Sequence, residues 1–270
     1  MMNMMATIRS EFTKIITLRS VWMITLILLA VGLFFQYQSA VGFLESLKTL
    51  DENGMHWEYN RPVDAELDFY STVGTAIFNP GILFPLLGAI IAGAEFRTGQ
   101  LGVSFLAVPS RTKMVTSKII ATTLYTLGIG IVYAVMSLVA GYFMMKDWQP
   151  DLLWSPEVFI KILGGIFFLV AITLITLGFT LITRRTLLGI LIMGGFIGST
   201  MSQAIASFAP AVDAWTPISA ARNLLLQEAQ LPDIGPPFSS SNLMGGVVLM
   251  LWLISVLILS LSLLKRRDAR

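Results

Sequence analysis

A single histidine, His56, occurs in the 270-residue chain, in a run that also carries Asp51, Glu52 and Glu58. One imidazole with carboxylates around it is a donor set for a divalent cation. A lone histidine in an acidic loop is more often a solvated side chain, and no cysteine is present to complete a ligand pattern. The solvated reading is adopted, with a cation site as its alternative, and no metal ligand is assigned. No GxxxxGK[ST] phosphate loop occurs, so ATP is not bound here in the familiar way. No nucleophile with a base stands out. The chain is read as neither an enzyme nor a holder of its own cofactor, and no nucleic-acid partner is assigned.

The other chemistry-bearing stretch is "AEFRTGQLGVSFLAVPSRTKMVTSK", Ala94 to Lys118, where Arg97, Arg111, Lys113 and Lys118 face a lone acid, Glu95. "TGQLGVSFLAV" fits a short helix after Gly99, with Leu101, Phe105, Leu106 and Val108 available for docking and Pro109 as its stop. Ser110 then caps a following helix. Arg111 and Lys113 fall in that helix's first turn, where the helix dipole disfavours cations. Lipid phosphates or an acidic partner surface must favour them, and both readings stand.

The elements that hold these stretches are apolar. Hydrophobic residues make up 55% of the chain and charged residues 13%, against about 25% charged in soluble domains. Six blocks each reach the ~20 residues that cross a bilayer: residues 20–39, 73–94, 119–145, 158–183, 187–208 and 243–264. They leave a long acidic loop at 40–72, the basic loop at 95–118 and a long loop at 209–242. The start of the first block resembles a signal peptide with "YQSA" as a passable cleavage site. An uncleaved anchor is preferred, because five more spans follow.

Placing the N-terminus inside puts 13 of the 18 basic residues inside and leaves Lys48, Arg61, Lys146, Lys161 and Arg222 outside. The positive-inside rule therefore predicts a multi-pass protein with both termini cytoplasmic. No ionisable residue sits in the middle of a span, where one would mark function. Lys161 lies near a span end and can snorkel to the surface. In the second span Pro80 and Pro85 bend or break the helix and Asn79 offers a polar group there, so the span is either pathway-lining or merely kinked. Gly88 with Ala92, and Gly194 with Gly198, allow close helix contact.

Two flanking helices are also predicted. Thr7–Ser20 places Ile8, Phe12, Ile15, Ile16 and Leu18 mainly on one side and leaves Arg9, Lys14 and Arg19 for lipid phosphates. It reads as an interfacial helix, or as an extension of the first span. Near the other end, Thr216 caps a helix that starts at Pro217 and runs about fourteen residues to Pro232. Its apolar side holds Ile218, Ala221, Leu224, Leu225 and Ala229, so it lies along the outer interface or dips in and returns.

Three segments together resemble the six-span permease subunit of type-2 ATP-binding-cassette exporters. They are the basic helix at Thr7–Ser20, "EFRTGQ…LAVPSR…K" from Glu95 to Lys118, and "TPISAARNLL" from Thr216 to Leu225. The long acidic loop at 40–72 departs from the shorter connection of many members. The resemblance implies an all-α integral membrane fold of six spans. It adds an elbow helix, a cytoplasmic coupling helix and short re-entrant helices before the last span. It implies a coupling role for Glu95, Arg97, Leu101, Phe105, Leu106, Arg111 and Lys113. It further implies pairing with a second permease and two ATPase subunits that use ATP and magnesium, and export of a drug, peptide or lipid-like substrate from the plasma membrane. A secondary transporter or channel, and a peptide-binding immunity or sensor subunit, are the competing readings.

Overall fold

The computed structural model describes residues 3–58, 61–97, 110–226 and 240–266. Helix α1 (Met4–Thr17) is followed by α2 (Arg19–Ser46), a hairpin of β1 (Met55–Glu58) and β2 (Arg61–Asp64), α3 (Ala65–Gly81) and α4 (Pro85–Arg97). Then come α5 (Arg111–Met145), α6 (Pro156–Thr183), α7 (Thr186–Met201), the single turn α8 (Pro210–Asp213), α9 (Pro217–Leu225) and α10 (Asn242–Arg266). Among the described residues, five segments are long and apolar enough to cross a membrane: Arg19–Thr49, Ala65–Ala94, Arg111–Met145, Pro156–Thr183 and Asn242–Leu264.

The 187–208 block is not one long helix. α7 is apolar but stops at Met201 after 16 residues. Gln203 takes a left-handed φ of 54° and the chain continues in turns. Gly194, Gly195 and Gly198 weaken the helix just before this point. The 40–72 region is also not one loop. α2 runs on to Ser46, α3 begins at Ala65, and the antiparallel hairpin between them pairs Met55 with Asp64 and Glu58 with Arg61. The fold is therefore nearly all-α rather than strictly so. Asp64 ends the hairpin and starts α3, its Oδ1 accepting from Glu66 N at 2.8 Å and Leu67 N at 3.2 Å.

α6 is the central helix, packed on by α3, α4, α5, α7 and α10. Its approach to α4 depends on Gly88, where a Cβ would overlap Thr173 O of α6. The Gly88–Ala92 pair thus serves close packing, as its spacing predicts. Gly194 and Gly198 have open space around them instead. The prolines of the second span do break it: α3 ends at Gly81 and Pro85 opens α4. Short turns close the gap, with Leu83 N bonded to Pro80 O at 3.1 Å and Phe84 N to Gly81 O at 3.0 Å. Phe84 then fills the bend against the Tyr133 ring, and Tyr133 Oη donates to Leu28 O at 2.6 Å.

α9 departs from the amphipathic expectation. It ends after nine residues, at Leu225 rather than near Pro232, and eight of the nine are buried, including Ser219, Arg222 and Asn223. It is inserted against α3, α6, α7 and α10 rather than laid on a surface. Gly245 lets α10 close on it, since a Cβ there would stand 2.5 Å from Ala220 O. Thr216 does not cap it by its side chain; the hydroxyl donates to Asp213 O at 3.0 Å.

Candidate functional site

Both ends of the bundle carry polar structure. The basic end gathers α1, the starts of α2, α5 and α7, and the ends of α4 and α10. α1 and α2 are separate helices, because Leu18 between them is extended (φ −75°, ψ 116°). α1 packs across the foot of α5. Glu11 is the centre of that contact: Oε2 accepts from Lys118 Nζ at 2.6 Å and Oε1 from Lys14 Nζ at 2.6 Å. Glu11 and Lys118 are each 3% exposed and Lys14 34%. Burial raises the Glu11 pKa, but the Lys118 and Lys14 ammoniums outweigh it and hold the carboxyl below its ordinary value. Phe12 packs edge-on to Tyr125 of α5, centroids 6.4 Å apart.

This corrects two expectations. Lys14 is bonded to Glu11 rather than left for a lipid phosphate, while Arg9 and Arg19 are exposed. The buried face of α1 is centred on Thr7, Glu11 and Ile15, and Ile16 is exposed. Glu11 and Lys118 are the pair that sequence reasoning passed over. The available signal was that Glu11 is the one acid before Glu45, three residues from Lys14.

The coupling residues are only partly placed. Glu95 and Arg97 fall in the last turn of α4, with their side chains outside the described set. The short helix predicted after Gly99, with Leu101, Phe105 and Leu106, lies outside the described residues. Ser110 does cap α5, its Oγ accepting from Lys113 N at 3.3 Å. α5 begins at Arg111, eight residues before the span boundary read from the sequence. Arg111 reaches across to Leu264 O of α10 at 3.4 Å. At 35 residues and 1.5 Å per residue, α5 is roughly 52 Å long, well beyond a ~30 Å hydrocarbon core. About 20 Å of its length therefore exceeds such a core.

α3 and α4 show only a narrow stripe. Thr72, Thr75, Asn79, Leu83, Leu86 and Ile90 are half-buried at spacings of three and four, with nearly all between them buried. Asn79 lies on this stripe beside the break; Pro80 and Pro85 are buried behind it. The stripe is polar from Thr72 to Asn79 and apolar from there to the basic end. There it meets a half-open cleft of about 160 Å³ lined by Ser20, Ile90, Gly93, Ala94 and Thr186.

At the opposite end the charged groups hold the fold. His56 Nε2 stands 3.4 Å from Asp68 Oδ2, and Asp51 Oδ1 accepts from Asn53 N and Met55 N in its own turn. Among the described residues no three His, Cys, Asp or Glu side chains group to hold a metal. Buried Asp213 accepts from Ser219 Oγ at 2.7 Å and Arg222 Nη2 at 3.1 Å, and Ser219 meets Thr200 of α7 at 2.8 Å. Lys161 does not snorkel: it is 3% exposed, and Asn242, oriented to satisfy both contacts, accepts from its Nζ at 3.0 Å and donates to Asn223 O at 3.2 Å. Turning inward gives the ammonium an oxygen that the apolar rim cannot offer.

Comparison with protein-family models, curated proteins and solved structures finds no match to this chain.

Proposed function

We propose that the chain is the membrane permease of an ATP-driven exporter, working with separate ATPase subunits. The observation that supports this best is the buried Glu11–Lys118 pair. It ties α1 to the foot of α5, eight residues after the segment 98–110 that leads into that helix, so a push on that segment is delivered to α1 and to the root of α5 together. An element clamped this way transmits displacement rather than absorbing it. The chain carries no phosphate loop, and on this reading a partner supplies the energy. On this reading α7 completes a sixth crossing, α1 lies in the inner interface, both termini are cytoplasmic, and two permeases pair in the plasma membrane over two ATPases. Leu101, Phe105 and Leu106 dock on the ATPase, with Glu95, Arg97, Arg111 and Lys113 around them. The drug, peptide or lipid-like cargo leaves past the stripe on α3 and α4. The alternatives lose ground on particular residues. No ionisable side chain lies mid-span for ion coupling, and the acids Asp51, Asp64 and Asp68 of the first loop are bonded within it rather than presented to a peptide.

The test is biochemical. The purified chain alone should hydrolyse no ATP, and co-expression with its cognate Walker-type ATPase should give a stable complex with substrate-stimulated turnover. Burying one large apolar side chain is worth roughly 1.5–3 kcal/mol, so Phe105→Ala should weaken that complex by about one to two orders of magnitude, with membrane abundance unchanged. A chain that drives ion-coupled uptake by itself in proteoliposomes refutes the exporter reading.

A further inference from the structure

The cleft at the basic end is placed where a lipid meets a protein. Ser20 is the second residue of α2 and Thr186 the first of α7, so both hydroxyls sit in first turns whose positive ends favour an anion. Arg19 and Arg185 precede them in the chain and are both exposed. Ile90, Gly93 and Ala94 form the floor, and Gly93 lets that floor lie directly under Thr186, since a Cβ would overlap its Oγ1. Leading away from the cleft, Ile90, Leu86, Leu83 and Ile82 carry the half-buried stripe up α4 to the break at Gly81. From Ala94 to Pro85 is nine residues, roughly 14 Å of helix, with the turns at Ile82 and Leu83 beyond it, close to the ~15 Å depth of one hydrocarbon leaflet. A polar, cation-flanked pocket therefore continues into an apolar track one leaflet long, and the track turns polar at Asn79 where a leaflet would end.

We propose that this groove binds one anionic phospholipid from the leaflet at the basic end. Its phosphate occupies the cleft between Ser20 and Thr186, and an acyl chain lies along Ile90, Leu86 and Leu83. The site does not depend on the exporter reading. It requires only that the bundle sits in a membrane.

The experiment uses the full chain purified in mild detergent and exchanged into micelles free of native lipid. Phosphatidylglycerol or phosphatidylcholine is then titrated in, and retained lipid is counted by native mass spectrometry. The expected result is one tightly held phosphatidylglycerol per chain, at least tenfold preferred over phosphatidylcholine and not displaced by millimolar inorganic phosphate. Ala94→Leu, which fills the cleft, should abolish retention. Should that variant fail to accumulate in membranes, Arg185→Gln with Thr186→Val leaves the volume nearly unchanged and should lower retention at least tenfold. Equal retention of both lipids, displacement by inorganic phosphate, or undiminished retention in the accumulating variant overturns the site.

Discussion

Removing the charges at the α1–α5 contact one at a time and together separates a clamp from a coincidence. Glu11 spends one carboxylate oxygen on Lys118 and the other on Lys14, each at 2.6 Å. Lys118→Met keeps most of the aliphatic volume, and Glu11 retains Lys14, so the loss is that of one charge-assisted hydrogen bond, about 1.5–3 kcal/mol. Glu11→Met removes the group that both lysines address, one of them almost fully buried. That falls in the range for breaking a buried pair, about 3–5 kcal/mol. Replacing both partners by methionine leaves an apolar contact of similar volume, which buried pairs often tolerate at little cost. The double variant should lie within roughly 2 kcal/mol of wild type, well short of the two single losses added. Unfolding of the purified chain by sodium dodecyl sulfate in mixed micelles, followed by tryptophan fluorescence, gives the four free energies by linear extrapolation. Additivity within about 0.5 kcal/mol would show that the two side chains share no interaction, and the transmission argument would fall with it. If the clamp transmits motion, the stable double variant should bind its ATPase yet lose transport.

The Glu11 carboxyl titrates below its ordinary value of 4.5 in the fold, so its stabilisation is complete above that pH and is lost as the pH falls through the lower folded value. The stability gap between wild type and Glu11→Gln, measured in the same micelles, should stay constant from about pH 7 to 5 and narrow below about 4.5; a gap that narrows already between pH 7 and 5 contradicts the assignment. Gly88→Ala pushes a methyl into Thr173 O on the facing helix backbone, which cannot rotate away, and should cost about 1–3 kcal/mol or more. Gly194→Ala meets nothing within 4 Å and should stay within about 0.5 kcal/mol; thermal shifts of the two variants decide. Because the chain contains no cysteine, one introduced at Ser46 should react with an impermeant thiol reagent in intact cells and one at Thr98 should not. Reaction at Thr98 would reverse the proposed orientation.

What the sequence disclosed depended on which interactions are local. Five long apolar helices, the break between Pro80 and Pro85, the cap at Ser110 and the small-residue contact at Gly88 each follow from residues a few positions apart, and each is present. The failures are tertiary. The isoleucines and phenylalanine of α1 predict one apolar side, whereas Lys118, 107 positions away, turns Glu11 into the protein. α9 has an amphipathic pattern, yet Asp213 gives Arg222 and Ser219 buried partners, so the polar side need not face water. Lys161 is expected at the surface because it lies near a span end, and Asn242 from another helix instead holds it inside. The cleft between Ser20 and Thr186 joins three helices and leaves no mark in the order of residues.

The way α9 is seated bears on how the chain is made. Its polar side is closed partly from within, by Asp213, and partly by what comes after it. Asn223 donates to Ser240 at 2.8 Å, Trp252 Nε1 of α10 donates to Trp215 O at 2.6 Å, and Gly245 admits the α9 backbone against α10. A ribosome delivers Ser240, Gly245 and Trp252 after α9. Until α10 has left the translocon, the carbonyl of Trp215 and the amide of Asn223 lack these partners, in surroundings that penalise such vacancies. Arrival of α10 is therefore the step that closes the seat of α9, and a nascent chain stalled before it presents to membrane quality control a defect that the folded bundle hides.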